Sequence, residues 1–142
     1  MKYLLKIIIV ILFLGTQPIF SQDKNITGFD EIIYRASTRG TSIMVKVHPN
    51  KVQFKNNEKD NEFKISNYNQ KKIVNLLNKL NLKEIHNLKA PTNNRASDKS
   101  LHATITINTN GKTYKSATFD ADNPPKELKS LLKEVCSLGK PE

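Results

Sequence analysis

The sequence predicts an α+β domain, a two-layer sandwich in which an antiparallel sheet of about five strands carries two helices on one face. Two pairs of β-favouring segments are each joined by a short turn, which predicts two hairpins. Two other segments have apolar residues at helical spacing, which predicts two amphipathic helices. Each hairpin and each helix has one apolar face to bury, so we expect both helices to pack on the sheet.

The first 21 residues have the features of a secretory signal peptide. Two lysines precede the uninterrupted apolar run Ile7–Leu14, and Ser21 is a small residue suited to the position before cleavage. The apolar run is shorter than the ~20 residues that span a bilayer. We therefore expect export to the periplasm or beyond the cell, a mature chain from Gln22 and no membrane span after cleavage. An uncleaved N-terminal anchor is the alternative.

The remaining residues, 22–142, fit a single domain. They carry 21 basic and 13 acidic side chains, a formal net charge of +8. This excess is compatible with attraction to polyanions, and equally with a lysine-rich surface that stays solvated. The only cysteine is Cys136, so no disulfide can form within the chain. We expect Cys136 to be buried with Leu132 and Val135 in the last helix.

The first part of the chain predicts a strand, a hairpin and a helix. Residues 22–28 are polar, and we expect them to be disordered or loosely attached. Glu31–Ser37 is the first predicted strand, and the alternation of Thr41–His48 continues after a turn, so that Val47 pairs with Val52. A short strand at residues 63–65 is a further possibility. The following helix has its apolar stripe at Ile73, Leu76, Leu77 and Leu80.

The second part predicts another hairpin and a closing helix. Asn110-Gly111 lies between two β-favouring runs and predicts a two-residue turn that pairs Ile107 with Tyr114. In that register Phe119 points to the other face, unless a bulge lies between Tyr114 and Ala117. We favour the bulge over a strand covered on both faces.

The closing helix is predicted from its boundary residues. Asn123 is a suitable N-cap, Pro124 suits the first helical position, and Gly139 suits the residue after the last turn. Between them lie the apolar positions Leu128, Leu131, Leu132 and Val135.

This plan resembles families of small exported bacterial α+β domains with no assigned function. Related families have a Cys-Pro pair near the start of the second strand, where this chain has Arg39-Gly40. A role tied to that cysteine therefore does not carry over, and the resemblance implies the fold without implying an activity. The matching positions are Asp98, Ala103–Ser116, Phe119-Asp120, Pro124-Pro125 and the leucines of the closing helix.

Catalytic and metal-binding motifs are not found in the sequence. Nucleophilic catalysis needs a nucleophile beside an oriented base, and His48, His86 and His102 lie in no such pattern. We therefore expect a protein that is not an enzyme and holds no cofactor or metal. Asp120 and Asp122 could bind a hard cation, but we interpret them as caps of the closing helix.

Two sets of polar residues are candidates for binding. Arg95, Asp98 and His102 could form a recognition patch on the irregular segment before the second hairpin, with Asp98 positioning Arg95. A surface ion pair of little consequence is the alternative. Lysines around the first hairpin offer a basic outer sheet face, without aromatic partners for nucleic-acid bases. We interpret them as protection against edge-to-edge aggregation; they are Lys46, Lys51, Lys55 and Lys64.

These observations favour an exported, non-enzymatic binding module of the bacterial envelope that recognises a protein or peptide. The alternative is a basic domain associated peripherally with anionic envelope polymers or lipid. A small hydrolase using the segment from Arg95 to His102 is a second alternative. We expect no sequence-specific binding of nucleic acid.

Overall fold

Seven antiparallel strands form one sheet in the computed structural model, which describes residues 25–140. The predicted signal peptide lies outside these residues. Two α-helices, α1 (Asn67–Leu77) and α2 (Lys129–Leu138), and two short 3-10 helices, Leu82–Asn87 and Asn94–Ser97, complete the described chain. The strands are β1 (Glu31–Thr38), β2 (Thr41–Val47), β3 (Lys51–Asn56), β4 (Asp60–Lys64), β5 (His102–Thr109), β6 (Lys112–Lys115) and β7 (Phe119–Asp120).

The sheet joins the two predicted hairpins through β1. The strand order is β4-β3-β2-β1-β5-β6, and β7 also pairs with β5. Ile32 lies opposite Val47 on one side and Ile107 on the other, so the apolar residues of three strands share a face. The predicted pairing of Val47 with Val52 is confirmed.

A bulge interrupts the last edge of the sheet, as we favoured from the sequence. Ile107 pairs with Tyr114, whereas Phe119 pairs with Ala103, which leaves one extra residue between β6 and β7. Ser116 fills this interruption: its N–H donates to Ile105 O (2.9 Å), and its Oγ accepts from Ile105 N–H (3.0 Å). The bulge returns Phe119 to the core face, where it is 1% exposed.

One hydrophobic core holds the sheet and both helices together. The alternating residues of β1, β2, β3 and β5 supply the sheet side of this core, and both helices supply buried residues to it. The chain is therefore an α+β domain built on an antiparallel sheet, as predicted. No described helix is long and apolar enough to cross a membrane. The fully buried helix residues are Ile73 and Leu77 of α1 and Leu131 and Val135 of α2.

The structure has more strands than the five or so predicted. Asp60–Lys64 forms a full edge strand, β4, because its polar side chains pair with those of β3 across the exposed face. The bulge also divides the last predicted strand into β6 and β7.

The start of the described chain is attached more firmly than we predicted for residues 22–28. Ile26 N–H donates to Asn78 Oδ1, and Asn78 Nδ2 donates back to Ile26 O, both at 2.8 Å. The carbonyl of Gly28 accepts from Thr109 Oγ1 at 2.7 Å. These contacts tie residues 25–28 to the end of α1 and to β5.

The closing helix begins later than predicted. Its first residue is Lys129 rather than Pro124, because Asn123 is held in a bridge with Asp120 and the chain turns again before Leu128. Gly139 does follow the last turn, but its φ is −82°, so it does not adopt the left-handed conformation typical of that position. Its role is close packing against Val45 and Phe54 of the sheet.

Candidate functional site

A buried carboxylate organises the most irregular part of the domain. Asp120 in β7 is 0% exposed. Its Oδ2 accepts from Thr92 Oγ1 (2.5 Å) and Asn94 N–H (2.8 Å), and its Oδ1 accepts from Arg95 N–H (3.1 Å) and Arg95 Nη1 (2.9 Å). These four bonds match the capacity of an ionised carboxylate. We call residues 88–101, which these bonds hold against β7, the anchored loop.

The surroundings of Asp120 keep it ionised. Burial by itself raises the pKa of a carboxyl group, because it removes water from the charged form. Here the hydrogen bonds from Thr92, Arg95 and the backbone of Asn94 outweigh burial and hold the pKa of Asp120 well below its usual range. Asp120 therefore stays charged at neutral and mildly acidic pH. We call its bonds to Thr92, Asn94 and Arg95, which hold the anchored loop, the tether.

Arg95 belongs to the tether and not to the exposed surface. Its guanidinium bonds Asp120 Oδ1 and the carbonyl of Thr92 (2.8 Å), and its side chain is only 18% exposed. The same carboxylate caps the 3-10 helix Asn94–Ser97, since it takes the first N–H groups of that helix. Arg95 thus positions the loop from inside.

Asp98 and His102 each lie near the end of β1. Asp98 ends the 3-10 helix with a φ of 55° and accepts a hydrogen bond from Thr38 Oγ1 at 3.2 Å. His102 begins β5 directly opposite Ser37. Both side chains are exposed, so this corner of the sheet presents a carboxylate and an imidazole on a fixed backbone.

Asp98 contacts Arg95 through the backbone, since Asp98 N–H donates to Arg95 O at 3.2 Å, but no described contact joins the Asp98 carboxylate to the Arg95 guanidinium. Arg95 takes Asp120 as its carboxylate partner, because the 3-10 helix turns the Arg95 side chain toward β7 while Asp98 lies near β1. Of the three candidate residues, Asp98 and His102 each lie near the end of β1 and Arg95 is bound to Asp120, and no described hydrogen bond or ion pair joins the side chains of any two of them.

The predicted capping of α2 by Asp120 and Asp122 is also wrong. Asp120 caps the 3-10 helix of the anchored loop, and Asp122 accepts from Ser100 Oγ at the other end of that loop. Neither role is visible in the sequence, since Thr92 and Asp120 are 28 residues apart and two of the donors are backbone groups. An acid directly after a buried strand phenylalanine is the only signal that the sequence offers.

Cys136 is half-buried rather than fully buried. It packs at the margin of the core, and burial raises the pKa of its thiol, while Lys140 acts in the opposite direction. Burial likewise raises the pKa of Tyr34 to about 12, with a smaller contribution from Cys136. A thiol with a raised pKa is a poor nucleophile at neutral pH, because the thiolate is the reactive form.

The lysines of the first hairpin are largely paired with acids. Lys46 Nζ lies 3.4 Å from Glu31 Oε1, Lys51 Nζ lies 2.9 Å from Glu62 Oε2, and Lys55 Nζ lies 3.1 Å from Asp60 Oδ2. Only Lys64 is on an edge strand, so protection of an edge does not account for the other three. The outer sheet face is accordingly a mixed surface of acids and bases, on which Arg35, Lys64 and Lys115 lie outside the described ion pairs.

The described residues contain no group of three or more His, Cys, Asp or Glu side chains arranged to hold a metal ion. The exposed side chains of Asp98 and His102 can each form hydrogen bonds with a partner.

Comparisons with known proteins identify no relative of this chain. No family model matches the chain. The searches of curated proteins and of solved structures return no match either. The resemblance to small exported domains therefore stays a prediction from the sequence.

Proposed function

We propose that this protein is an exported, non-enzymatic binding module of the bacterial envelope that recognises a protein or peptide. Its recognition surface is the anchored loop together with the end of β1, near which the side chains of Asp98 and His102 are exposed. The observation that carries the proposal is the tether: Asp120 and Arg95 hold a long irregular segment in one conformation. A loop fixed in advance loses little conformational entropy when a partner binds.

The proposal takes the domain as a two-layer sandwich with both helices on one face of the sheet. The anchored loop then lies at one end of the sheet, next to the turn between β1 and β2. Loops supported by a rigid sheet are common positions for binding residues.

Site-specific photo-crosslinking tests this surface. A photoreactive residue at Lys99, beside Asp98, is compared with one at Lys59, which is also exposed but lies in the turn between β3 and β4. In envelope extracts we expect a defined adduct from position 99 and none from position 59. Asp98→Asn should abolish or strongly reduce the adduct, since it removes the exposed negative charge and keeps a residue type that tolerates the positive φ of this position.

Two outcomes of the crosslinking experiment would count against this surface. Equal adducts from positions 99 and 59, or an adduct from position 99 that Asp98→Asn leaves unchanged, would contradict the assigned surface. Repeating the capture at high salt separates the mode of binding, because attraction to a polyanion weakens steeply with added salt. Recognition of a folded protein or a peptide through a fixed loop should persist.

The hydrolase alternative finds less support. A hydrolase at this corner would need a nucleophile held beside a base. His102 lies opposite Ser37 in the sheet register, but no described hydrogen bond joins their side chains, and the cysteine lies in α2. The exposed polar groups of the anchored loop suit binding better than bond cleavage.

A further inference from the structure

Both faces of the domain carry excess positive charge, but their acidic residues are distributed unevenly. On the sheet face, three lysines have carboxylate partners within 3.4 Å. The helices differ, since Glu134 is the only acidic residue within α1 and α2, and it is 7% exposed. The outward side of the helices therefore displays lysines without exposed acids between them.

Helical geometry collects these lysines on one side. In α2, Lys129 and Lys133 are one turn apart, and the exposed Lys140 follows the end of the helix. In α1, Lys71 and Lys72 point away from the core, and Tyr68 lies one turn before Lys72. We define the helix face by these exposed residues: Tyr68, Lys71, Lys72, Lys129, Lys133 and Lys140.

Ion pairing leaves most of this charge uncompensated. Among the residues that the structure describes, Lys72 is the only member of the helix face with an ion-pair partner, Glu134 at 2.5 Å. Nearby Glu84 and Glu127 lie in a groove at the opposite end of α1 from Tyr68. The lysines of α2 consequently project a net positive field outward from the domain.

Tyr68 gives the helix face a second, independent property. It is 73% exposed and is the only large apolar side chain so exposed in the described part of the chain. Tyrosine has an apolar ring and a polar hydroxyl, a combination that favours the boundary between lipid headgroups and acyl chains. An exposed tyrosine among lysines is suited to a membrane surface.

We propose that the helix face docks on an anionic lipid bilayer and holds the protein at the membrane surface without crossing it. Two neighbouring helices of ~15 Å each present a broad patch, which fits a flat bilayer better than a single polymer chain. The apolar stripes of both helices are buried in the core and cannot insert into lipid. The attachment is therefore electrostatic and reversible. This inference is independent of the recognition surface proposed above.

Vesicle co-sedimentation of the purified protein tests the docking. One vesicle preparation is phosphatidylcholine alone, and the other is an equimolar mixture of phosphatidylcholine and phosphatidylglycerol. We expect binding to the mixed vesicles only, and loss of binding at high salt. Replacing Lys129, Lys133 and Lys140 by Gln should weaken binding about a hundredfold, since each lysine near the surface contributes a factor of about five.

A matched control removes the same charge from the opposite face. Replacing Lys51, Lys55 and Lys64 by Gln should weaken binding by no more than about fivefold, because these lysines are beyond a Debye length of about 10 Å from the lipid. Urea unfolding of both variants establishes that each is folded. Tyr68→Trp adds a direct probe, since the chain has no tryptophan and its emission should shift to the blue on mixed vesicles.

Three results would overturn the docking proposal. They are no binding to the mixed vesicles, equal weakening by the two triple substitutions, and binding to soluble polyphosphate without binding to vesicles. The last result would assign the lysines to a polymer instead.

Discussion

At the scale of single residues, Asp120 illustrates how one buried charge is stabilised. A carboxylate leaves water at a large cost unless hydrogen-bond donors replace the lost solvent. Asp120 has four such donors, all from the anchored loop, so the cost of burial is offset only while that loop is in place. The same contacts couple the loop to the stability of the whole domain.

This coupling predicts a dependence of stability on pH. The pKa of Asp120 lies below 3.8 in the folded chain, so its contribution is complete above that pH and is lost as the pH falls through the folded-state pKa. Asp120→Asn should lower stability at neutral pH and flatten the loss of stability in acid. Urea midpoints measured across the acidic range check this, and Asp122→Asn, on the same turn, should retain the acid dependence of the wild type.

Gly139 is required by space and not by backbone conformation. A Cβ at this position would lie 3.0 Å from Val45 Cγ2 and 3.2 Å from Phe54 Cδ2, inside the contact between α2 and the sheet. We expect Gly139→Ala to destabilise the domain by about 1–3 kcal/mol, as overpacking of a core does.

Gly28→Ala is the control for Gly139→Ala. A Cβ at Gly28 meets nothing within 4 Å, so this change should alter stability by no more than about 0.5 kcal/mol. Chemical denaturation of both variants gives the comparison. Equal stabilities would mean that α2 does not approach β2 and β3 as closely as described.

Cys136 should react slowly in the folded protein. Burial at the margin of the core limits access of reagents to the thiol and raises its pKa. Both effects lower the amount of thiolate that a reagent can reach. A thiol reagent should label it slowly in native buffer and rapidly in denaturant. Immediate labelling of the native protein, or a disulfide-linked dimer on a non-reducing gel, would contradict this placement.

At the scale of elements, the turn between β5 and β6 joins two strands through left-handed backbone conformations. Asn110 has a φ of 51° and Gly111 a φ of 68°, as a two-residue hairpin turn requires. The sequence predicted this turn and its register correctly, because the pair Asn-Gly adopts positive φ readily. The bulge at Ser116 then sets the face of Phe119.

Substitution at the turn should separate backbone geometry from side-chain contacts. Gly111→Val should destabilise the domain by at least ~1 kcal/mol, since a β-branched residue adopts positive φ only with strain. No atom lies within 4 Å of a Cβ at this position, so strain and not crowding is the cause. Lys112→Ala should change stability by no more than about 0.5 kcal/mol. Denaturant melts that show both variants equally stable would contradict the turn.

At the scale of the whole molecule, the expected export remains to be measured on the protein itself. Mass spectrometry of the natively expressed protein should find an N-terminus at or near Gln22, because the first 21 residues carry the pattern of a cleaved signal peptide. A membrane-bound form that retains Met1–Ser21 would contradict cleavage.

The sequence by itself determined the elements whose signals are local. Strand alternation and short turn motifs predicted both hairpins and their registers, because each depends on residues that are neighbours in the chain. Helical spacing likewise predicted both helices. It misplaced the start of α2, because the bridge between Asp120 and Asn123 competes with the capping motif at Asn123-Pro124.

Only the tertiary structure decided the candidate site and the distribution of charge. Thr92 and Arg95 meet Asp120 across 25 or more residues, partly through backbone N–H groups that every residue type possesses. Ion pairs are common on the sheet face and scarce on the helix face. This difference also depends on which side chains the fold brings within reach of one another. Such contacts leave no periodic pattern in the sequence, because their geometry exists only once the core has formed.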